Sequence, residues 1–289
     1  MTGPGTEGSS GEIGLRDQVL RAVRSLGRPA GSSTGRAVTS DLSIDEALLL
    51  HSIGWEPVDL ACGVSVTSVP TGVWNWGQGE IVVASSAYDL AFRQAAARLA
   101  RECTRAGGWG VVGVHVNVDI HPHHVDVDLV GTAVKPGGPA GARTEEGSVP
   151  FVSDLSARDF TLLQQAGWMP VGLAFGASFV YAPRRSPGTT LRQQGQNVEL
   201  ANFTDAIYSA REGAMGRMQT SAIAMRAHGI VGVQVTEGPM DFARHAIGFA
   251  ARGTAVRLEA EAHRYVKPMV VLGLDDAVVQ FDAASLRGG

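Results

Sequence analysis

The chain has 289 residues, of which 44% are hydrophobic, 18% charged and 6% aromatic, a composition typical of a globular protein with room for two domains of about 100 to 150 residues. Its 28 acidic and 24 basic residues leave a net charge of -4, which argues against binding to nucleic acid or to an anionic membrane. A signal peptide and an apolar run of about 18 residues are both absent from the sequence, so we expect a cytoplasmic protein without an integral membrane segment.

The first 40 residues are rich in glycine and serine and predict a flexible tail. Within it, residues 12–26 carry apolar side chains at helical spacing, at Leu15, Val19, Val23 and Leu26. This predicts a short amphipathic helix on a tether. Such a helix could dock on a protein partner or a membrane surface, or pack on its own domain.

Four sequence blocks after the tail occur twice, in the same order. They are Asp-Leu-Ser at 41–43 and 154–156, Gly-Trp-x-Pro-Val at 54–58 and 167–171, Gly-Val/Ile-Val-Gly-Val at 110–114 and 229–233, and Gly-Thr-Ala-Val at 131–134 and 253–256. The recurrence predicts a tandem duplication, with one domain at 41–136 and a second at 154–258. A glycine- and proline-rich linker at 137–153 joins them, and a C-terminal extension follows at 259–289, with one or two further strands within 268–281.

Each copy predicts a short helix, a strand, a long helix and two further strands. Ser43 with Glu46, and Ser156 with Asp159, have the spacing of residues that cap the start of a helix. In the strands predicted at 57–67 and 170–181, Gly63 and Gly176 indicate a bulge or a close approach of another backbone. The long helices carry small and apolar residues at helical spacing, which we interpret as core.

The glycine-rich loop before the first long helix contains two tryptophans, Trp74 and Trp76, without a counterpart in the second copy. Exposed tryptophans often mark interfaces, so we interpret this pair as a subunit contact. The alternative is a stacking platform for a small molecule at a groove between subunits.

The closing strands of the first copy alternate strictly between apolar and polar residues. In 112–120 the residues Val112, Val114, Val116, Val118 and Ile120 are predicted to share one face, and the polar residues the other. The long helix would cover the apolar face. The sequence therefore predicts an α+β fold made of two small units with open sheet edges, which favours oligomerisation.

The Gly110–Val114 strand after an alanine-rich helix, and the last strand with Gly131-Thr132-Ala133-Val134, resemble the YbjQ-like family, whose members carry the label heavy-metal-binding domain. The resemblance is closer in 41–136 than in 154–258. It implies a dodecin-like β-α-β-β unit and assembly into pentameric rings. It implies no enzymatic activity.

The polar face of the closing strands predicts a metal site as one alternative. With a turn at residues 122 and 123, His121 lies opposite His124, Asp119 opposite Asp126, and Asn117 opposite Asp128. Imidazole and carboxylate groups suit zinc, nickel or copper. The candidate ligands are His121, His123, His124, Asp126, Asp119 and His115. The other interpretation is a polar face toward water or a ring lumen.

No motif of a nucleophile with its base, a phosphate-binding loop or a zinc hydrolase occurs in the sequence, so we expect neither catalytic nor cofactor-binding residues. Cys62 and Cys103, the two cysteines, are too few for a disulfide framework and are interpreted as buried thiols in a reducing compartment. Our first hypothesis is a non-enzymatic, ring-forming cytoplasmic protein. The alternatives are a metal-binding protein and a small-molecule binder.

Overall fold

A computed structural model describes residues 38–70, 79–121, 123–137, 149–183, 197, 199–239 and 245–266. Several sequence-based predictions therefore lie outside the described residues. These are the amphipathic helix at 12–26, the tryptophans Trp74 and Trp76, most of the linker, and the extra strands within 268–281. Among the residues described, no helix combines the length and the apolar character needed to cross a membrane.

The protein is a mixed α+β structure with four helices and two sheets in its described part. Residues 38–137, here called unit 1, contain α1 (Ile44–Ser52), β1 (Trp55–Ser68), β2 (Gly79–Glu80), α2 (Val82–Arg105), β3 (Gly110–Ile120) and β4 (His124–Pro136). Residues 149–266, here called unit 2, contain β5 (Phe151–Val152), α3 (Ala157–Gln165), β6 (Trp168–Tyr181), α4 (Ala201–Ala224), β7 (Gly229–Pro239) and β8 (Ala246–Leu258).

The main elements of the two units correspond one to one. The short helix, long strand, long helix and two closing strands have 9, 14, 24, 11 and 13 residues in unit 1 and the same lengths in unit 2. Equivalent positions can therefore be assigned residue by residue. Both short helices begin at the predicted caps, where Glu46 N donates to Ser43 Oγ and Asp159 N donates to Ser156 Oγ.

Each unit supplies a two-residue strand to the sheet of the other unit. Sheet A has the order β1-β4-β3-β5 and sheet B the order β2-β6-β8-β7. Strand β5, at the end of the predicted linker, pairs in parallel with β3 of unit 1, and β2 pairs with β6 of unit 2. Neither of these two short strands is predicted by the sequence.

Helix α2 lies between the two sheets and is buried on both sides. Toward sheet A it presents Ala95 and Leu99, and toward sheet B its Phe92 ring stacks on Phe175 with the centroids 4.1 Å apart. The opposite face of sheet B packs on α4 through Met218 and neighbouring small residues. The layers therefore run in the order sheet A, α2, sheet B, α4.

Gly63 and Gly176 occupy points where a helix backbone touches a strand, one of the two alternatives predicted for them. A Cβ added to Gly63 would lie 2.2 Å from Ala95 O, and one added to Gly176 would lie 2.3 Å from Ala214 O. The strand bulges lie elsewhere, after Pro57 in β1 and after Pro170 in β6. The glycines thus set how closely the helices approach the sheets.

The prediction for Val112 was wrong because β3 contains a bulge. Gly113 has a φ of +64°, and the β3–β4 register shifts between Val112 and His115. The extra residue reverses the order of the faces, so Val111 joins Val114 against α2. Val112 instead packs in a separate cluster with Trp55 from β1 and residues of unit 2.

We expect Gly63→Ala to lower the free energy of unfolding by about 3 kcal/mol, because the methyl group would overlap the α2 backbone. Gly216→Ala is the matched control, since an added Cβ has nothing within 4 Å and the equivalent residue on α2 is Ala97. That change should stabilise the helix by up to about 1 kcal/mol. Urea unfolding measures both values, and equal effects would contradict the close approach.

An ion pair also joins the two units. Glu80 Oε1 lies 2.6 Å from Arg217 Nη1 and accepts hydrogen bonds from Ser85 and Ser178 at 2.7 and 3.1 Å. Partial burial would raise the pKa of the Glu80 carboxyl, but the hydrogen bonds and the positive charge of Arg217 outweigh it and lower this pKa below its ordinary value of 4.5. The ionised carboxylate is therefore favoured in the folded state.

A lowered pKa contributes stability at pH values above 4.5, and this contribution disappears as the pH falls through the folded-state value. We therefore expect Glu80→Gln to lose less stability than the wild type between pH 7 and about pH 3. Thermal unfolding across that range measures the difference. The exposed Glu212→Gln is the control, and parallel pH profiles for the wild type and Glu80→Gln would refute the role of this pair.

Candidate functional site

The polar outer face of sheet A has the register that the sequence predicts. Asn117 is paired with Asp128, and Asp119 with Asp126, in antiparallel β3 and β4. At the hairpin end His121 N donates to His124 O at 2.9 Å. The alternation of valine with polar residues turns the polar side chains away from α2 and onto one surface.

Three of the six predicted metal ligands come together at the hairpin end. The Nε2 atoms of His121 and His124 lie 3.9 and 3.6 Å from Asp126 Oδ2, and the two imidazole rings stack at 4.4 Å. Their donor atoms all lie within 4.8 Å of one another. We call His121, His124 and Asp126 the hairpin triad.

The spacing of the hairpin triad is close to that of a tetrahedral metal site. Zinc at about 2.1 Å from each ligand separates neighbouring ligand atoms by about 3.4 Å, so side-chain movements of about 1 Å would bring the three donor atoms to that spacing. Asp126 Oδ1 is buried and has no hydrogen-bond partner within the described residues. An unsatisfied carboxylate oxygen costs free energy that a bound cation would offset.

The other three predicted ligands are not part of the triad. His123 is exposed in the turn, where its carbonyl accepts from Val69 N at 2.7 Å. Asp119 accepts a hydrogen bond from Asn117 Nδ2 at 3.1 Å. His115 lies nearer the other end of β3, where its Nε2 is 3.8 Å from Asp41 Oδ2.

Unit 2 has small residues where unit 1 has the polar ones. Ala246, Gly248 and Ala250 stand at the positions of His124, Asp126 and Asp128. Ala246 is buried in the main core with residues of α2, and a histidine at this position would be desolvated. Within one chain, the face that carries the triad is thus open in unit 1, and its equivalent in unit 2 is covered by α2.

The cysteines differ from the prediction in one respect. Cys103 is buried as expected, but Cys62 is exposed on β1, because it faces away from α2. Partial burial, followed by the negative charges of Glu102 and Asp128, raises the pKa of the Cys62 thiol. The thiol is therefore held in its unreactive, protonated form.

Two apolar rows are exposed on strands and were not recognised in the sequence. The β1 row consists of Leu60, Cys62, Val64 and Val66 on the outer face of sheet A, and the β7 row of Val233 and Val235 on sheet B. Val231 is also exposed, but it precedes the bulge at Gly232 and lies on the other face of β7. Apolar rows of this kind on a strand commonly mark an interface. In residues 60–67 every second residue, from Leu60 to Val66, is apolar, and the residues between them are small. This pattern is the sequence signal from which the first row could have been recognised.

The fold and its surfaces thus define an α+β protein with two equivalent units, an acidic and histidine-bearing sheet face, and exposed apolar strands. Residues 195–259 match a family model described as "Putative heavy-metal-binding" (YbjQ_1). The chain is 35% identical over 250 residues to encapsulin nanocompartment protein Rv1762c of Mycobacterium tuberculosis (strain ATCC 25618 / H37Rv), which covers 84% of this chain and 94% of that protein. The chain therefore belongs to the same family as that mycobacterial protein. The family-model match lies in unit 2, whereas the closer resemblance was predicted for unit 1.

Proposed function

We propose that this protein is a non-enzymatic, cytoplasmic protein whose chains assemble into a closed ring. Its two units, at 41–136 and 154–258, are then a tandem duplication of one dodecin-like β-α-β-β domain. The observation that carries the proposal is the exposure of apolar strand rows at both ends of the chain, on unit 1 and on unit 2. Water-exposed rows of valine are costly unless a further protein surface covers them.

A comparison of equivalent positions supports this interpretation. Val66 is 64% exposed on β1, whereas Phe179 at the same place on β6 is 2% exposed because α2 covers it. Val233 is 43% exposed on β7, whereas Val114 at the same place on β3 is 5% exposed, in a core cluster that also contains Val152 of unit 2. Each unit is therefore covered on one side by its sister unit and lacks cover on the other side.

The relatives agree with an assembly. The mycobacterial relative is named as a nanocompartment protein. The pentameric ring is an expectation from the resemblance to the YbjQ-like family. A pentamer of this chain would contain ten units. Trp74 and Trp76 remain proposed subunit contacts, and residues 12–26 a proposed docking segment for a protein partner.

Size-exclusion chromatography with light scattering, followed by native mass spectrometry, tests the assembly. We expect a single closed oligomer, with five chains as the expected number, whose mass does not grow with protein concentration. A monomer at micromolar concentration would refute self-assembly. A closed ring of another size would refute only the pentamer.

As a second candidate function we propose transition-metal binding by the hairpin triad, with zinc, nickel or copper as the ion. The clustering of His121, His124 and Asp126 supports it, together with the unsatisfied Oδ1 atom of Asp126. Two imidazoles and one carboxylate are a common ligand set for zinc, and water can complete the coordination. The site would be present once per chain.

We expect zinc to bind at one site per chain in a calorimetric titration, and His124→Ala to weaken that binding by more than tenfold, because one of three protein ligands is lost. His123→Ala is the matched control, since His123 is adjacent in sequence but exposed outside the triad. Equal affinities for the two variants would exclude the triad as the site, and no binding of zinc, nickel or copper to the wild type would exclude a metal site altogether.

A further inference from the structure

The junction between the two units within one chain consists of three sets of contacts. In the first, β5 pairs in parallel with the edge of β3, with Phe151 beside Gly110 and Val152 beside Val111. Backbone hydrogen bonds extend this pairing, since Ser153 N donates to Val111 O and Val114 N to Ser153 O. An incoming strand from unit 2 thus closes the open edge of unit 1.

The second set joins the outer face of α2 to β6. Besides the Phe92–Phe175 stack, Tyr88 lies against Phe179 with the ring centroids 6.2 Å apart, and burial raises the pKa of Tyr88 to about 12. The third set is polar, with Glu80 of unit 1 held by Arg217 and Ser178 of unit 2. Strand pairing, helix-on-sheet packing and an ion pair therefore occur together.

The strand segment and the sheet edge of this junction each have an equivalent that is exposed and unpaired among the described residues. Ser40-Asp41-Leu42-Ser43 repeats Ser153-Asp154-Leu155-Ser156, yet residues 38–40 are exposed and belong to no strand. Gly229 on β7 is likewise exposed, whereas its equivalent Gly110 is buried beneath Phe151. Unit 1 thus has an unused incoming segment, and unit 2 an unused edge.

We propose that the junction between the units is repeated between chains, so that unit 2 of one chain receives unit 1 of a second copy. This proposal specifies the contacts between neighbouring chains of the proposed ring, and it rests on the proposed self-assembly. The equivalent positions fix the contacts. Residues 38 and 39 of the incoming copy lie beside Gly229 and Ile230, in parallel, as Phe151 and Val152 lie beside Gly110 and Val111.

The same correspondence places the β1 row of the incoming copy on the outer face of α4. Val66 then covers Ile207, as Phe179 covers Tyr88. Arg211 stands where α2 has Phe92, and it faces Cys62 and the nearby carboxylate of Asp128. The aromatic stack inside the chain is thus replaced between chains by a pair of opposite charges.

The ion pair is also repeated, between Glu199 of one chain and Arg98 of the incoming copy. Glu199 already accepts from Thr204 Oγ1 at 2.9 Å, as its equivalent Glu80 accepts from Ser85. Arg98 donates to Val64 O, as its equivalent Arg217 donates to Ala177 O. Arg98 and Glu199 are both exposed in the single chain.

A junction between two different surfaces is heterologous, and it gives a closed ring where the rotation between copies closes. At every junction an open sheet edge is paired and the exposed apolar rows are covered. No unit in a closed ring would keep an unpaired incoming segment. This is the arrangement that removes both exposed rows at once.

Charge reversal tests the predicted ion pair. Arg98→Glu and Glu199→Arg should each bring like charges together at every junction, and raise the concentration for half-dissociation by more than tenfold. The double variant Arg98→Glu/Glu199→Arg should restore assembly, because opposite charges meet again. Arg93→Glu, a reversal on the same helix in a surface pair with Asp89, is the control. Circular dichroism verifies folding, and a double variant no better than the single ones would overturn the pairing.

Cross-linking tests the strand register in a Cys62→Ser background. Thr39→Cys and Ile230→Cys in the same chain should give covalent multimers on oxidation, because paired residues on adjacent strands lie within disulfide range. A mixture of the two single variants should give covalent dimers only. Val111→Cys/Val152→Cys is the control at the equivalent intrachain position, and it should close without a change in chain number.

Native mass spectrometry of the reduced double variant separates the two proposals. If the reduced variant is an intact oligomer and forms no cross-links on oxidation, this junction is overturned and self-assembly still stands. A monomer from the unmodified chain overturns both. Oligomers that cross-link when Thr39→Cys is combined with Val235→Cys, but not with Ile230→Cys, refute the register.

Discussion

The structure depends on the burial of α2 between two sheets. A helix that packs on both sides needs small side chains toward its own sheet, and Ala95 and Gly63 supply the closest approach. On the other side, bulky rings fill the distance to sheet B. Because one helix serves two sheets, the two units share a continuous core. The exchange of β2 and β5 and the ion pair of Glu80 with Arg217 follow from this placement.

Local sequence signals predicted the elements that depend on local physics. The helix caps at Ser43 and Ser156, and the register of Asp119 with Asp126, follow from side-chain hydrogen bonds and from the alternation of strands. Two-residue strands carry no such period, and their partners are distant in sequence, so β2 and β5 escaped prediction. The burial of a thiol on a strand depends on which face of the sheet packs on the helix. The prediction that Cys62 is buried was wrong for this reason.

The hairpin triad shows the same difference between features that depend on local sequence and features that depend on distant contacts. Residues close to a tight turn must lie close in space, so His121, His124 and Asp126 could be grouped from sequence. His115 lies six residues further back along β3, a distance of about 20 Å in an extended strand, and it meets Asp41 instead. Unit 2 lacks these residues, and within the chain its sheet B is covered on both faces, by α2 and by α4. The sequence alone does not show this cover. One fold thus accommodates an acidic surface in one copy and a packed surface in the other.

The bulge at Gly113 divides β3 between two neighbourhoods. Before it, Val112 faces the cluster around Trp55, and after it Val114 faces α2. Unit 2 has the same φ of +64° at Gly232. Deleting either glycine would remove the half-period offset, so the valines and the polar residues beyond it would exchange sides. In both copies this strand therefore tolerates the substitution of a residue far better than an insertion or a deletion. The glycine determines which of the residues after it face each side of the sheet.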